Sequence, residues 1–114
     1  MSATAGYVYA LKPSSELWTR CLPRRTQILY THDCALILLL LDAKPGSVGS
    51  LKSTYFSLLQ VICESGTGSG SLSHAIATAI APTGHLYTHD IEETRTKKIE
   101  QEFEVFLYLS HYKF

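Results

Sequence analysis

No stretch of this 114-residue chain stays apolar for long: the longest run, Cys34 to Leu41, falls far short of the roughly 20 residues that cross a bilayer. A membrane span is not expected. The first residues, Met1-Ser2-Ala3-Thr4-Ala5-Gly6, have neither a basic start nor an apolar centre, so they do not read as a secretory signal. Charge of one sign is missing too, since 10 basic and 10 acidic residues give a formal net charge of zero. No overall basic field draws nucleic acid to the surface, which leaves that role to a local patch. Cysteine is scarce: Cys21, Cys34 and Cys63 form an odd set without C-x-x-C spacing. That argues against a disulfide framework and against a zinc site, and predicts reduced, mostly buried thiols in a soluble intracellular protein with no metal. The length bounds the chain to one domain at most, with a modest core, short for an open sheet covered by helices on both faces.

What the chain does have is glycine concentrated in one place. In Val61-Ile62-Cys63-Glu64-Ser65-Gly66-Thr67-Gly68-Ser69-Gly70-Ser71 an apolar run ends at Glu64, glycines follow at alternate positions, and a helical pattern starts at once. Glycine accepts positive φ and lets a ligand lie on the backbone, while the first N–H groups of a helix point unpaired at whatever sits there. A strand, glycine turn and helix therefore predict a cofactor shelf for a negative or oxygen-rich ligand.

The rest of the chain is arranged around that turn. Tyr7 to Leu11 reads as a short strand, stopped by Lys12-Pro13-Ser14-Ser15. Glu16 to Tyr30 shows no sustained period and is broken by Pro23, so it reads as irregular. Its Arg20, Arg24 and Arg25, beside Trp18, Gln27 and Tyr30, suit phosphate contact and base stacking, or equally a solvated loop with ordinary surface pairs. Thr31-His32-Asp33 offer N-cap candidates for a helix from Ala35 to Asp42, halted by Lys44-Pro45-Gly46. That helix is apolar nearly all round and is expected to be buried on more than one side. His32 reads as a cap or surface group rather than a catalytic base. Ser47 to Ser57 fits a loop or a short helix, and Leu58 to Cys63 is the strand feeding the turn.

Beyond the turn, Leu72, Ala75, Ile76, Ala79 and Ile80 give Ser71 to Ala81 a helical stripe, ended by Pro82-Thr83-Gly84. His85 to Asp90 is a second strand, completing a βαβ unit with an expected right-handed crossover. Asp90 stands about 20 residues past Gly70, where such units place an acid on ribose hydroxyls; a helix N-cap is the other reading. Ile91 to Glu104 reads as a helix with a charged exterior and a thin stripe of Ile91, Ile99 and Phe103. The aromatic and apolar end, Val105 to Phe114, extends that helix or forms a strand.

The glycine spacing selects among cofactors. A phosphate-binding loop needs Gly-Lys-Ser/Thr, and no lysine lies between Glu64 and Ala81, which sets ATP hydrolysis aside. Counted from Gly66, the dinucleotide fingerprint needs glycine where Ser71 stands, which disfavours NAD. An acid followed by G-x-G-x-G, with a second acid at the next strand end, resembles the S-adenosylmethionine-dependent methyltransferases. Glu16 to Thr19, Leu22 to Tyr30, Cys63 to Ser71, Ser73 to Ile76 and Ile80 to Leu86 further resemble the catalytic subunit of the eukaryotic tRNA (adenine-58 N1)-methyltransferase. The resemblance covers nearly all of Gly6 to Glu104.

It implies an α/β fold, a partial Rossmann-like methyltransferase fold with a βαβ core and an incomplete sheet. It divides the chain into a remnant strand of an N-terminal module (1–15), a partial methyltransferase domain (16–104) with a non-family insert (49–61), and a divergent tail (105–114). By the same resemblance Leu29, Glu64, Gly66, Gly68, Ser69, Gly70, Ser71, Asp90 and Arg95 contact S-adenosylmethionine, Asp90 replacing the usual glutamate. Gln27, Ile28, Leu29, Tyr30 and Thr31 match a segment that touches tRNA. The aspartate that holds the target adenine in the family has no counterpart here. The expectation is a nuclear enzyme subunit, paired with a noncatalytic subunit in a heterotetramer, whose truncated form has no turnover alone; the alternative is a non-catalytic binding or regulatory fragment of that complex.

Overall fold

The computed structural model describes residues 6, 8, 9, 14–45 and 60–110, with side chains through Glu104. The strand expected at Tyr7–Leu11 and the insert expected at 49–61 lie outside the described residues, apart from Val8, Tyr9, Gln60 and Val61, as do the last four residues of the tail. The elements in order are α1 (Ser15–Cys21), α2 (Thr31–Leu40), β1 (Val61–Ser65), α3 (Ser71–Ile80), β2 (His85–His89) and α4 (Glu93–Ser110). β1 and β2 pair in parallel, with Val61 opposite His85 and Ser65 opposite His89. This is the βαβ unit that the pattern predicts, with α3 as its crossover.

Alternation along the strands decides what faces α3. Ile62 and Glu64 turn toward the helix, while Val61, Cys63 and Ser65 point to the other side and are exposed. Ile62, Ile76 and Ile80 form the buried centre, with Leu38, Ala43, Leu72 and Leu86 packed around it. Each such isoleucine contributes on the order of 1.5–3 kcal/mol by leaving water. Gly84 lets the chain turn back sharply after α3, since a Cβ there would stand 2.5 Å from that of Ile80.

Five sequence expectations need correction. Residues Glu16–Tyr30 are not irregular throughout, because α1 occupies Ser15–Cys21. Ser14 caps it, its Oγ accepting from Leu17 N at 3.2 Å, and Arg20 donates to Glu16 one turn earlier, so local caps and an i,i+4 pair form a helix before Pro23. α2 starts one residue earlier than its cap candidates imply: Tyr30 is the N-cap, and Thr31, His32 and Asp33 lie within the first turn. It is also not buried on several sides. It rests on α3 and α1, Cys34 is its buried residue, and Leu39 and Leu40 remain 76% and 78% exposed among the described residues. An all-round apolar surface says that a helix can be buried, not that neighbours exist to bury it. Finally, the thiols are not mostly buried: Cys34 is, whereas Cys21 and Cys63 are exposed, Cys63 because strand alternation puts it on the uncovered sheet face.

α4 begins at Glu93, two residues later than read, and leaves Ile91 98% exposed. Ile99 and Phe103 keep their inward role, facing Gly70 at the turn. The helix runs on to Ser110, which settles helix over strand for that part of the tail. Trp18 from α1, His74 from α3 and Phe103 from α4 meet in one aromatic cluster, with Trp18 stacked on His74 at 5.1 Å and Phe103 edge-on to both.

Candidate cofactor site

The three turn glycines all have positive φ, for different reasons. A Cβ on Gly68 would lie 3.1 Å from Thr26 Oγ1, and one on Gly70 would press on Ile99 and Phe103 at 3.2–3.5 Å. These two allow protein to approach protein. At Gly66, with φ of 96°, nothing lies within 4 Å of a Cβ position, so this is where the backbone is open to a ligand. Backbone bonds hold the loop to the far strand: Gly66 N and Thr67 N both donate to His89 O, at 2.7 and 3.1 Å.

A cavity of about 180 Å³ opens at this point. Gln27, Ile28 and Leu29 form one wall; Glu64 to Ser69, Ser71 and Leu72 form the other. It thus brings together Leu29, Glu64, Gly66, Gly68, Ser69 and Ser71 of the predicted cofactor set, with Gln27 and Ile28 of the predicted tRNA segment. Gly70, Asp90 and Arg95 stand outside its lining.

Glu64 carries the cavity's acidic charge. Ser73 Oγ and Thr88 Oγ1 donate to its Oε2 at 2.5 and 2.6 Å, and Thr67 Oγ1 lies 2.6 Å from Thr88 Oγ1. Thr88 has one proton and gives it to Glu64, so Thr67 must donate to Thr88, which fixes the direction of the whole chain. The other oxygen, Oε1, takes no bond from the described residues. Burial pushes the Glu64 carboxyl above its usual range, against the pull of the two hydroxyls toward the charged form. Thr67, Ser73 and Thr88 are the site residues that sequence reasoning missed. A signal existed: Ser73 is a polar residue at a buried helix position, and Thr88 shares the inward strand face with Leu86.

Two predicted contacts spend their side chains elsewhere. Ser69 Oγ accepts from Thr26 N at 3.2 Å and bonds Thr26 Oγ1 at 2.8 Å. Ser71 Oγ donates to Leu29 O at 2.6 Å, lies 2.8 Å from Thr19 Oγ1 and meets the Cys34 thiol at 3.9 Å. Their hydroxyls therefore fasten the 26–29 wall to the glycine turn and to the start of α3, and what they offer a ligand is backbone N–H. Asp90, just past β2, has a side chain 4% exposed. Its Oδ2 accepts from Gly68 N at 2.9 Å; its Oδ1 accepts from Glu92 N at 3.0 Å and Arg95 Nη1 at 2.9 Å. Those bonds hold its carboxyl below the usual range, the backbone N–H groups of Glu92 and Gly68 most of all.

The arginine and aromatic loop is also largely engaged within the chain. Arg25 makes a two-point pair with Glu102 of α4, Arg24 donates to Tyr30 Oη at 3.1 Å, and Trp18 belongs to the aromatic cluster. Of the predicted tRNA segment, Gln27, Leu29, Tyr30 and Thr31 are exposed, whereas Ile28 is buried. Among the described residues no group of three or more His, Cys, Asp or Glu could hold a metal ion.

Parallel strands, a crossover helix and a glycine-cradled cavity at the strands' carboxyl ends make up a βαβ unit. Residues 6–111 match the family model described as the tRNA methyltransferase complex GCD14 subunit, and the chain belongs to that family. It is 42% identical over 102 residues to the tRNA (adenine(58)-N(1))-methyltransferase catalytic subunit of Schizosaccharomyces pombe, covering 90% of this chain and 24% of the relative. The corresponding subunit of Yarrowia lipolytica is 39% identical, over 87% of this chain and 22% of its own length. That of Dictyostelium discoideum is 40% identical, over 86% of this chain and 27% of its own length. The chain therefore spans about a quarter of the length of these relatives.

Proposed function

We propose that the cavity holds S-adenosylmethionine, and that the chain is the cofactor-binding part of a tRNA (adenine-58 N1)-methyltransferase catalytic subunit with a partial Rossmann-like fold. The observation that carries the reading is the cradle at Gly66: open backbone at positive φ, between the Glu64 carboxylate and the start of α3. The residues fit the group. A cationic ligand meets the acceptor capacity of Glu64 Oε1, and a ligand carboxylate meets the unpaired N–H groups of the first turn of α3. Ile28 and Leu29 add an apolar wall. At about 180 Å³ the cavity is below the roughly 300 Å³ at which drug-sized pockets begin, so it suits part of the cofactor rather than all of it.

When bound, S-adenosylmethionine supplies an electrophilic methyl group to a nucleophilic ring nitrogen. What this chain's residues do is positional. Glu64, fixed by Ser73 and Thr88, orients the cofactor, the glycine turn supports it, and the 26–29 wall excludes water. The names of the relatives support adenine 58 of tRNA as the target and a catalytic role beside another subunit. We extend these to this chain: Gln27 to Thr31 as the tRNA-facing segment, Ile28 through its backbone alone, and a noncatalytic partner in a nuclear heterotetramer. The small cavity favours a second reading, a non-catalytic binding fragment of the same complex.

Calorimetry with S-adenosylmethionine and with NAD tests the cofactor. Binding of the first and not the second is expected; the reverse refutes the assignment. Radiolabelled methyl transfer to tRNA, with and without the noncatalytic subunit, separates the readings: transfer identifies the catalytic role, and co-purification without transfer identifies the binding fragment.

A further inference from the structure

Three helices and the cavity wall meet at one buried hydroxyl, that of Ser71 at the start of α3. Thr19 of α1 and Cys34 of α2, both buried, bring their side chains to it, and Leu29 of the wall brings its backbone carbonyl. Counting protons fixes the donors. Ser71 Oγ has one proton, and at 2.6 Å it goes to Leu29 O. The 2.8 Å contact between Thr19 and Ser71 is then a hydrogen bond only if Thr19 donates. Thr19 Oγ1 also lies 2.9 Å from Ser15 O, the acceptor that a threonine inside a helix ordinarily uses. Giving the whole proton to Ser15 would leave two buried hydroxyl oxygens facing each other at 2.8 Å with no proton between them. Ser15 O can spare it, because in the α1 ladder the backbone N–H of Thr19 points at that carbonyl. The reverse order, Ser71 donating to Thr19, would leave Leu29 O to the Cys34 thiol at 3.7 Å, a weak donor.

We infer that Thr19 is a positioning residue: its hydroxyl starts a relay, Thr19 to Ser71 to Leu29, by which α1 sets the wall of the cavity, a role that rests on the cofactor reading of that cavity. Thr19 itself stands outside the cavity lining. Residues 22–30 form neither helix nor strand, so the wall takes its place from side-chain bonds such as those of Ser69 and Ser71. A hydroxyl that accepts a bond donates a stronger one, so the proton from Thr19 tightens the hold of Ser71 on Leu29.

The test is a double-mutant cycle on the full chain, with S-adenosylmethionine titrated calorimetrically. Thr19→Val keeps the side chain's shape and removes its proton; Ser71→Ala removes the middle of the relay and keeps the backbone N–H. Thr19→Val is expected to weaken binding roughly three- to tenfold, and Thr19→Ser to restore it. In the Ser71→Ala background Thr19→Val is expected to cost no further affinity. A Thr19→Val loss of the same factor in both backgrounds, or no loss in either, overturns the relay, since a threonine that only packs or bonds Ser15 acts independently of Ser71. NMR supplies a readout of the wall itself. The carbonyl carbon shift of Leu29 is expected to move upfield in Thr19→Val and to return in Thr19→Ser; an unmoved shift overturns the relay. If Thr19→Val does not fold, the hydroxyl protons of the unsubstituted chain decide. That of Thr19 is expected to exchange slowly with water and to show a cross-peak to the Ser71 β-protons; a Ser71 proton directed at Thr19 overturns the relay. If the unsubstituted chain does not bind S-adenosylmethionine, the cofactor reading fails, and the Leu29 carbonyl still decides whether Thr19 sets the wall.

Discussion

His74 offers the sharpest test of how the helices are held together. Its ring is stacked on Trp18 at 5.1 Å with Phe103 at 5.8 Å, and the residue is 4% exposed. Burial lowers its pKa from 6.5 to about 4, because a charged ring in this cluster would lose its hydration. The unfolded chain takes up a proton as the pH falls below 6.5, and the folded chain refuses it until about 4. Stability is therefore intact above pH 6.5 and declines as the pH drops through that window. The gap is worth about 3 kcal/mol in full, a large share of the roughly 5–15 kcal/mol that holds a typical domain. His74→Phe keeps an aromatic ring and removes the titration. Urea unfolding of both proteins at pH 7.5 and 4.5 is the assay, and carboxylates common to the two cancel in the difference. The unsubstituted chain is expected to lose about 2–3 kcal/mol more than His74→Phe between the two pH values. Equal losses would refute the claim that the ring is buried neutral in the cluster.

Other perturbations separate core, turn and network. Ile76→Ala empties the centre of the core and is expected to cost roughly 2–5 kcal/mol in urea unfolding. Gly66→Ala meets no atom but forces alanine to a φ of 96°; a loss of roughly 1–3 kcal/mol in thermal unfolding is expected, with weaker S-adenosylmethionine binding by calorimetry. Thr88→Val removes a donor to Glu64 and strands Thr67, so it is expected to weaken cofactor binding about tenfold while Thr88→Ser restores it. A thiol reagent is expected to label Cys21 and Cys63 in the native chain and Cys34 after denaturant is added; burial both hides Cys34 and pushes its pKa up.

How far the sequence could be read depended on whether a feature is local. The strand, glycine turn, crossover helix and second strand were legible because period, glycine spacing and terminators all lie within a few residues of what they describe. Helix α1 was legible in principle, from Ser14 as a cap and the Glu16–Arg20 spacing, but the missing apolar period and Pro23 outweighed those cues. The exposure of Leu39 and Leu40 was not legible. It depends on which elements pack against α2, and the composition of α2 carries no information about its neighbours.

The site divides the same way. The glycines and Glu64 follow from their own short motif, and so does the idea of a ligand lying on the backbone. That Gly66 faces open space while Gly68 and Gly70 face Thr26, Ile99 and Phe103 could be known only once the distant segments were in place. The hydroxyls of Ser69 and Ser71 were turned to the 26–29 wall by partners about 40 residues away, and Asp90 was turned inward by Gly68 and Arg95. The chain's own order of residues determined the shelf and the family. Tertiary packing decided which groups on the shelf are left for a ligand, because a hydrogen-bonding atom serves the partner that the fold brings within 3 Å of it.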